Sequence, residues 1–405
     1  MTASVVDPRL WSAGQEKIDW ARGFMPVTAT LSDELRRAGT VDGLRIGLSL
    51  VLEPKTANLA LSLADAGARI SVVCDAASTR DDVAAALHHA GIEVFARSDA
   101  DPATDHELAL AFLDQRHDII VDDGSALIRL AHAERPAILE ATIGASEETT
   151  SGLRPLRTME RDGLLRIPVI AANDARCKTL FDNGYGTGQS TVFTIADLLG
   201  TGLTGKSVVI AGYGYVGRGV ARAVSALGAT VTVSEVDPVK ALEALHAGYA
   251  VAPLVDAAAN ADLLISATGI AGTVAVEHLL AMPEGAAVAV AGGVDQEIAI
   301  DAAVGSGATR RSVANRVEEF RLPNGRTILI LDDGSCINCT AGEGNPIEIM
   351  DLSFGVQLVS IELLATHGKA LTPAVHPLSD AADARVADAK LRSLGVRIDT
   401  IVAPS

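Results

Sequence analysis

Two spacings of apolar residues alternate along the chain from about residue 44. Leu44 to Leu50, Ala68 to Cys74 and Asp118 to Val121 are apolar almost throughout, the pattern of strands buried on both faces. Between them, apolar positions recur every three or four residues in Lys55 to Ala66, Thr79 to His89 and His106 to Leu113, which predicts helices, with Glu93 to Phe95 extended. This alternation predicts a parallel sheet covered by helices on both faces. The run Asp118 to Val121 leads into Asp122-Asp123-Gly124, and ligands of such sheets sit at the carboxyl ends of strands.

A second pattern of the same kind starts after Ile195 to Leu199, where Gly200, Gly202 and Gly205 mark a loop. Lys206 to Ala211 reads as a strand, Val216 to Leu227 as a helix, Thr230 to Ser234 as a strand, Val239 to Ala247 as a helix and Asp262 to Ser266 as a strand. From Pro346 the periodicity is helical, through Met350 to Thr366 and Ala381 to Leu394, without the strand rhythm of a third domain. The chain is therefore expected to be α/β, with two doubly wound Rossmann-like domains. The tail returns to the first, so that residues 1–189 and 346–405 form a discontinuous substrate domain around a dinucleotide domain at 190–345.

Composition agrees with two cores: 405 residues exceed one ordinary domain, and 48% hydrophobic with 21% charged residues is an α/β enzyme profile. A net charge of −18 with 3% aromatics argues against nucleic acid as a partner. No basic-then-apolar N-terminal segment or membrane-length apolar run stands out, so a cytoplasmic protein without a membrane partner is expected. The cysteines are Cys74, Cys177, Cys336 and Cys339; the last two form a CxxC that lacks further zinc ligands or a thioredoxin-like setting, so it reads as a chance pair and no metal is expected.

The candidate chemistry starts at Gly212-Tyr213-Gly214-Tyr215-Val216-Gly217, which follows a strand and opens a helix. There the backbone at Gly212 and Gly214 can approach a pyrophosphate, and Gly217 permits close helix packing. Glu235 ends the next strand, where a carboxylate accepts from the adenosine ribose and repels a 2′-phosphate, favouring NAD over NADP. Lys240 is near enough in sequence to touch the same ribose.

Around this loop stand Asp122-Asp123-Gly124, Ser146-Glu147-Glu148-Thr149-Thr150-Ser151-Gly152 and Phe181-Asp182-Asn183-Gly184-Tyr185-Gly186. With these segments in this order the chain resembles the S-adenosylhomocysteine hydrolase family from about residue 40 to about residue 400. The resemblance implies a tightly bound NAD that oxidises the substrate ribose at C3′, loss of the 5′ substituent by elimination after C4′ deprotonation, addition of water, and return of the electrons. It implies a nucleoside substrate and a homo-oligomer, dimer or tetramer. By the same resemblance Lys178 and Asp182 flank the 3′-hydroxyl, with Lys178 a base whose pKa must be lowered toward neutrality. Glu148 holds the 2′-hydroxyl and Asp123 lies by C5′. Tyr215, Val216, Thr149, Thr150, Ser151, Asn183, Thr268, Gly269 and Asn338 join the glycines, Glu235 and Lys240 on NAD, and Glu53, Lys55, Glu343, Asn345 and Met350 line the substrate.

Three family histidines are replaced: Val51 stands after the first substrate-domain strand, Gly293 near the 3′-oxygen, and Asn345 in the segment that closes over the base. His376 matches a family position outside the redox chemistry, and His88 and His89 read as helix-surface residues. The basic, tyrosine-containing tail common in the family is absent before Ser405. Glu53, Asp123 and Glu343 are the carboxyl groups able to replace the missing acid, if burial raises their pKa. Three functions follow from this pattern. The leading one is a nucleoside-modifying enzyme that uses C3′ oxidation and C4′ deprotonation to expel or exchange the 5′ substituent or to epimerise a neighbouring carbon; the others are S-adenosylhomocysteine hydrolysis and a non-catalytic NAD and nucleoside sensor.

Overall fold

A computed structural model describes residues 4–292 and 296–399. The chain divides into two compact units, residues 1–178 with 347–405, and residues 179–346. The first is thus discontinuous, with the second inserted into it. The change of unit falls at Lys178, ahead of the expected 189, because the π-helical segment Thr179–Gly186 packs on the helix Tyr215–Ala226 of the second unit. A side chain at Gly219 would put its Cβ 2.2 Å from the Gly184 carbonyl oxygen, and one at Gly188 would come within 2.3 Å of the Gly219 backbone. Glycine at these positions is what lets the two segments touch.

In the first unit the strands β1 (Arg45–Ser49), β2 (Arg69–Cys74), β3 (Glu93–Ala96), β4 (Ile119–Asp122), β5 (Gly144–Glu147) and β6 (Val169–Ala171) form a parallel sheet in the order β6-β5-β4-β1-β2-β3. Its order reverses between β1 and β4, which directs ligands to the ends of those strands. Apolar runs are continuous because both faces are covered. Ile119 and Val121 enter one core, and Ile120 between them enters the other. The tail adds the helices Ile347–His367 and Asp380–Ser393, and also a short strand, Val375–Pro377, paired with β6. That strand has no apolar rhythm and exists through its edge pairing. Ile347–His367 lies in the one helix among the described residues long and apolar enough to cross a membrane. Here 67% of its apolar window is buried within the protein, with Asp351, Ser353, Gln357 and Ser360 fully enclosed among its apolar residues.

The second unit carries β7 (Ser207–Ala211), β8 (Thr230–Ser234), β9 (Ala250–Val251), β10 (Leu263–Ser266), β11 (Ala287–Val290), β12 (Thr309–Ala314), β13 (Val317–Arg321) and β14 (Thr327–Leu331), in the order β12-β13-β14-β11-β10-β7-β8-β9. The pairs from β9 to β14 are parallel, and β12-β13-β14 is an antiparallel extension. Its β13–β14 turn holds Asn324-Gly325, a hairpin signal in plain view, with Gly325 at φ 85°. The order reverses between β7 and β10, so the switch point lies where the glycine loop follows β7 and Ala267-Thr268-Gly269 follows β10.

Candidate functional site

The carboxyl ends of β4 and β5 gather four carboxylates, of which Asp122 and Glu147 stand opposite one another in register. Glu147, fully buried, accepts from the backbone N–H groups of Gly124, Ser125 and Thr149, each at 2.9 Å, and from the Thr149 hydroxyl at 2.7 Å. It thereby fixes both turns. Gly152 is required beside it, since a Cβ there would lie 2.2 Å from the carboxylate. Asp122 accepts from Ile128 N–H at 2.8 Å and Asp123 N–H at 3.1 Å. Burial pushes the Asp122 carboxyl up to about 7. Burial, and then the charges of Asp122 and Asp123, push Glu147 up as well. Neither group was singled out by sequence; each supports a neighbour that was.

Glu148 follows β5 and meets Lys178 with Oε1 3.5 Å from Nζ, both residues buried. The buried Ser146 hydroxyl donates to Gln357 Oε1 at 2.6 Å, which turns the Gln357 amide so that its Nε2 donates to Glu148 Oε2. Ser146, Gln357, Glu148 and Lys178 thus form one chain through the interior of the first unit. Lys178 ends a short helical turn, Arg176–Lys178, whose first N–H groups are capped by Asp383 of the tail: Oδ2 accepts from Arg176 N–H at 2.8 Å and Oδ1 from Cys177 N–H at 2.9 Å. Gln357 and Asp383 carry no sequence signal, because their partners are brought close only by folding.

Glu53 and Lys55, both buried, pair at 2.5 Å at the start of the helix Pro54–Asp65. The candidate acid Glu53 is therefore engaged by the Lys55 ammonium. Asp123 and Met350 are half-buried in the first unit, and Glu343 is exposed in the second. Val51 is half-buried, with its carbonyl accepting from Thr56 at 2.6 Å. Thr149, expected on NAD, caps the helix Thr150–Arg161: its hydroxyl donates to Glu147, and its two lone pairs are shared among the Gly124 N–H, the Gly152 N–H and the Ser151 hydroxyl. The Thr150 hydroxyl is within 3.2 Å of Asn173 Oδ1. His89 stacks on Trp11, but His117 departs from the surface reading of the histidines. It is buried on Ser71 beside Phe112, and burial, aided by the charge of Arg45, pushes it down to about 4.

In the second unit the glycine loop leaves its backbone open to close approach. Gly212 adopts φ 93°, a Cβ at Gly217 would lie 2.0 Å from the Gly212 carbonyl, and nothing lies within 4 Å of the Cβ position of Gly214. The helix Tyr215–Ala226 starts at Gly214 without a side-chain cap or an acid in its first turn, leaving N–H groups for an anion. Tyr215 is exposed and Val216 half-buried. Glu235 binds the loop to β8, accepting from Tyr213 and Val236 N–H at 2.7 Å each and Asp237 N–H at 3.0 Å. Although burial opposes it, these bonds and Lys240 hold its carboxyl below the ordinary value, so it is an anion at neutral pH. Lys240 itself is 3.9 Å from Asp237.

After β10, the Thr268 and Gly269 N–H groups and the Thr268 hydroxyl donate to the buried carboxylate of Glu297, at 3.1, 2.9 and 2.8 Å. Glu297 is thus the counterpart of Glu147. Asp182 is buried and accepts from Asn345 Nδ2, while Asn345 Oδ1 accepts from Ser190 at 2.7 Å. Asn338 Oδ1 accepts from Gly292 N–H at 3.3 Å, and Asn183 reaches Thr179 at 3.4 Å. Gly293, one of the three positions at which the resemblance leads one to expect a histidine, lies outside the described residues.

Family models and relatives match most of the chain. The family model described as "S-adenosyl-L-homocysteine hydrolase, NAD binding domain" matches residues 183–344, and "S-adenosyl-L-homocysteine hydrolase" matches residues 2–137. An adenosylhomocysteinase of Thermotoga maritima is 42% identical over 391 residues, covering 96% of this chain and 97% of its own. An S-inosyl-L-homocysteine hydrolase of Methanopyrus kandleri is 40% identical over 402 residues, covering 98% and 94%. An adenosylhomocysteinase of Pyrococcus abyssi is 42% identical over 398 residues, covering 98% and 94%. The chain belongs to the S-adenosyl-L-homocysteine hydrolase family of NAD-dependent enzymes.

Proposed function

We propose that the chain cleaves the 5′ thioether of an S-nucleosyl-homocysteine, releasing a nucleoside and homocysteine, with NAD retained tightly. The carrying observation is the buried Glu148–Lys178 pair, with Glu148 oriented by Gln357. Its support is the near full-length likeness to relatives named for adenosyl and inosyl substrates. Bound NAD supplies reversible oxidation of the C3′ alcohol. Gly212, Gly214 and Gly217 would hold its pyrophosphate, Glu235 its ribose, and Thr268, Gly269 and Asn338 its remaining length. Glu148 accepts from the 2′-hydroxyl. Lys178 takes the proton of the 3′-hydroxyl, which Asp182 orients. Asp123 serves C5′, and the Glu53–Lys55 pair offers the base one acceptor and one donor edge.

This reading reverses the leading expectation from sequence, in which the 5′ substituent is lost or exchanged without thioether hydrolysis. One observation keeps that second reading in play. Val51 and Asn345 stand where the resemblance expects histidines, and the Asn345 amide that donates to Asp182 does not titrate near neutrality. Incubation with S-adenosylhomocysteine and with S-inosylhomocysteine in deuterium oxide separates the two. Thiol release with deuterium at C4′ is expected. Deuterium exchange on free nucleosides without thiol release from either thioether would transfer the assignment to the second reading, and no exchange at all would overturn both.

A further inference from the structure

Sequence alone makes Cys336 and Cys339 a chance pair, but the fold sets their sulfurs 3.7 Å apart. We propose that they form a thiol–disulfide site whose substrate is a small-molecule disulfide, and that closing it loosens the grip of Asn338 on NAD. The second half rests on the NAD site proposed above.

The backbone already suits a bridge. Cys339 N–H donates to Cys336 C=O at 2.9 Å, a turn that brings the two residues within the range a disulfide spans. Both are half-buried, which leaves them within reach of a small reagent. The other two cysteines are buried, where a thiol resists ionisation and attack: burial drives Cys74 far up, and burial with Asp383 pushes Cys177 up to about 12. The pair is thus the reactive half of the chain's cysteine complement.

Asn338 lies between the two sulfurs. Cys336 Sγ donates to Asn338 Oδ1 at 3.3 Å, and Asn338 Nδ2 reaches Cys339 Sγ at 3.4 Å. From the same amide, Oδ1 accepts from Gly292 N–H and Nδ2 extends 3.5 Å to Asn345 Oδ1, whose own amide donates to Asp182. A hydrogen-bonded path therefore runs from the thiols to the proposed substrate-orienting aspartate.

The reaction is thiol–disulfide exchange. The thiolate of one cysteine attacks a sulfur of the small disulfide, breaking its S–S bond and releasing one thiolate, which takes up the proton lost. The second cysteine attacks the mixed disulfide, forming the Cys336–Cys339 bond and releasing the other thiol. Two electrons pass from the pair to the small disulfide. The sulfurs must close from 3.7 Å to about 2.05 Å, the Cys336 S–H donor is consumed, and the Cys339 sulfur is drawn off the amide. Asn338 keeps only its bonds to Gly292 and Asn345.

The full-length protein is equilibrated with mixtures of oxidised and reduced glutathione, its intact mass recorded, and its NAD affinity measured by equilibrium exchange of the bound cofactor against isotopically labelled NAD. Expected are a loss of two hydrogen atoms, a roughly three- to tenfold weaker NAD affinity in the oxidised form, and recovery with dithiothreitol. In Cys339→Ser the mass should instead rise by one glutathione, and the Cys336→Ser/Cys339→Ser double variant should bind NAD alike under both conditions. Absence of the mass loss at every glutathione ratio, or equal NAD affinity of the oxidised and reduced forms, overturns the proposal. If the reduced protein binds no NAD, the reading of the cofactor site falls, while the mass still decides the disulfide.

Discussion

Glu148 is useful only as far as its neighbours hold it. A buried carboxyl group needs hydrogen-bond partners, and the Gln357 amide supplies one from 209 positions away along the chain. Gln357→Leu leaves that oxygen without its donor, so a loss of about 1–3 kcal/mol of stability is expected, read as a lower denaturant midpoint with the slope unchanged. The same variant should raise KM for the nucleoside. Lys178→Met tests the proton role: kcat is expected to fall at least about a hundredfold. An unchanged kcat would remove Lys178 from the chemistry. Sequence reading named Glu148, Lys178 and Asp182 through the family resemblance and did not single out Gln357, Glu147 or Glu297, whose contacts depend on partners distant in sequence or on burial.

At the scale of elements, two termini do most of the positioning. The helix Tyr215–Ala226 presents N–H groups because Gly217 allows it to approach Gly212. Gly217→Ala is expected to abolish NAD binding, since its Cβ would sit 2.0 Å from a backbone oxygen, and calorimetric titration with NAD checks this. The turn carrying Lys178 depends on Asp383 of the tail helix. Asp383→Ala should cost about 1 kcal/mol and lower kcat with it, and the double variant with Lys178→Met should show no further loss of activity. Apolar rhythm located β1 to β4, β7, β8 and β10 within one or two residues, chiefly because strands covered on both faces are apolar almost throughout. It did not find β5, β6, β9, β11 to β14 or the tail strand. The burial pattern of β12 is exposed throughout, and the tail strand has only three residues.

For the molecule as a whole, the proton held at the β4–β5 end sets a pH dependence. The folded chain keeps a proton on Asp122 up to about pH 7, and Glu147 shifts the same way, whereas the unfolded chain loses both near the ordinary carboxyl range. The stability these protons supply is complete below that range and is lost as pH rises toward 7. Asp122→Asn should flatten the decline of unfolding free energy between about pH 4 and 7, and an unaltered slope would mean that Asp122 is ionised throughout. The amino-acid sequence by itself determined the α/β class, the insertion of one unit in another and the glycine cradle, because periodicity, chain order and the need for a bare Cα are local properties. Only the tertiary structure decided which carboxylates are held and by what, where the unit boundary falls, and that two cysteines flank one amide. Those outcomes depend on burial and on contacts between residues far apart in the chain, which no local pattern encodes.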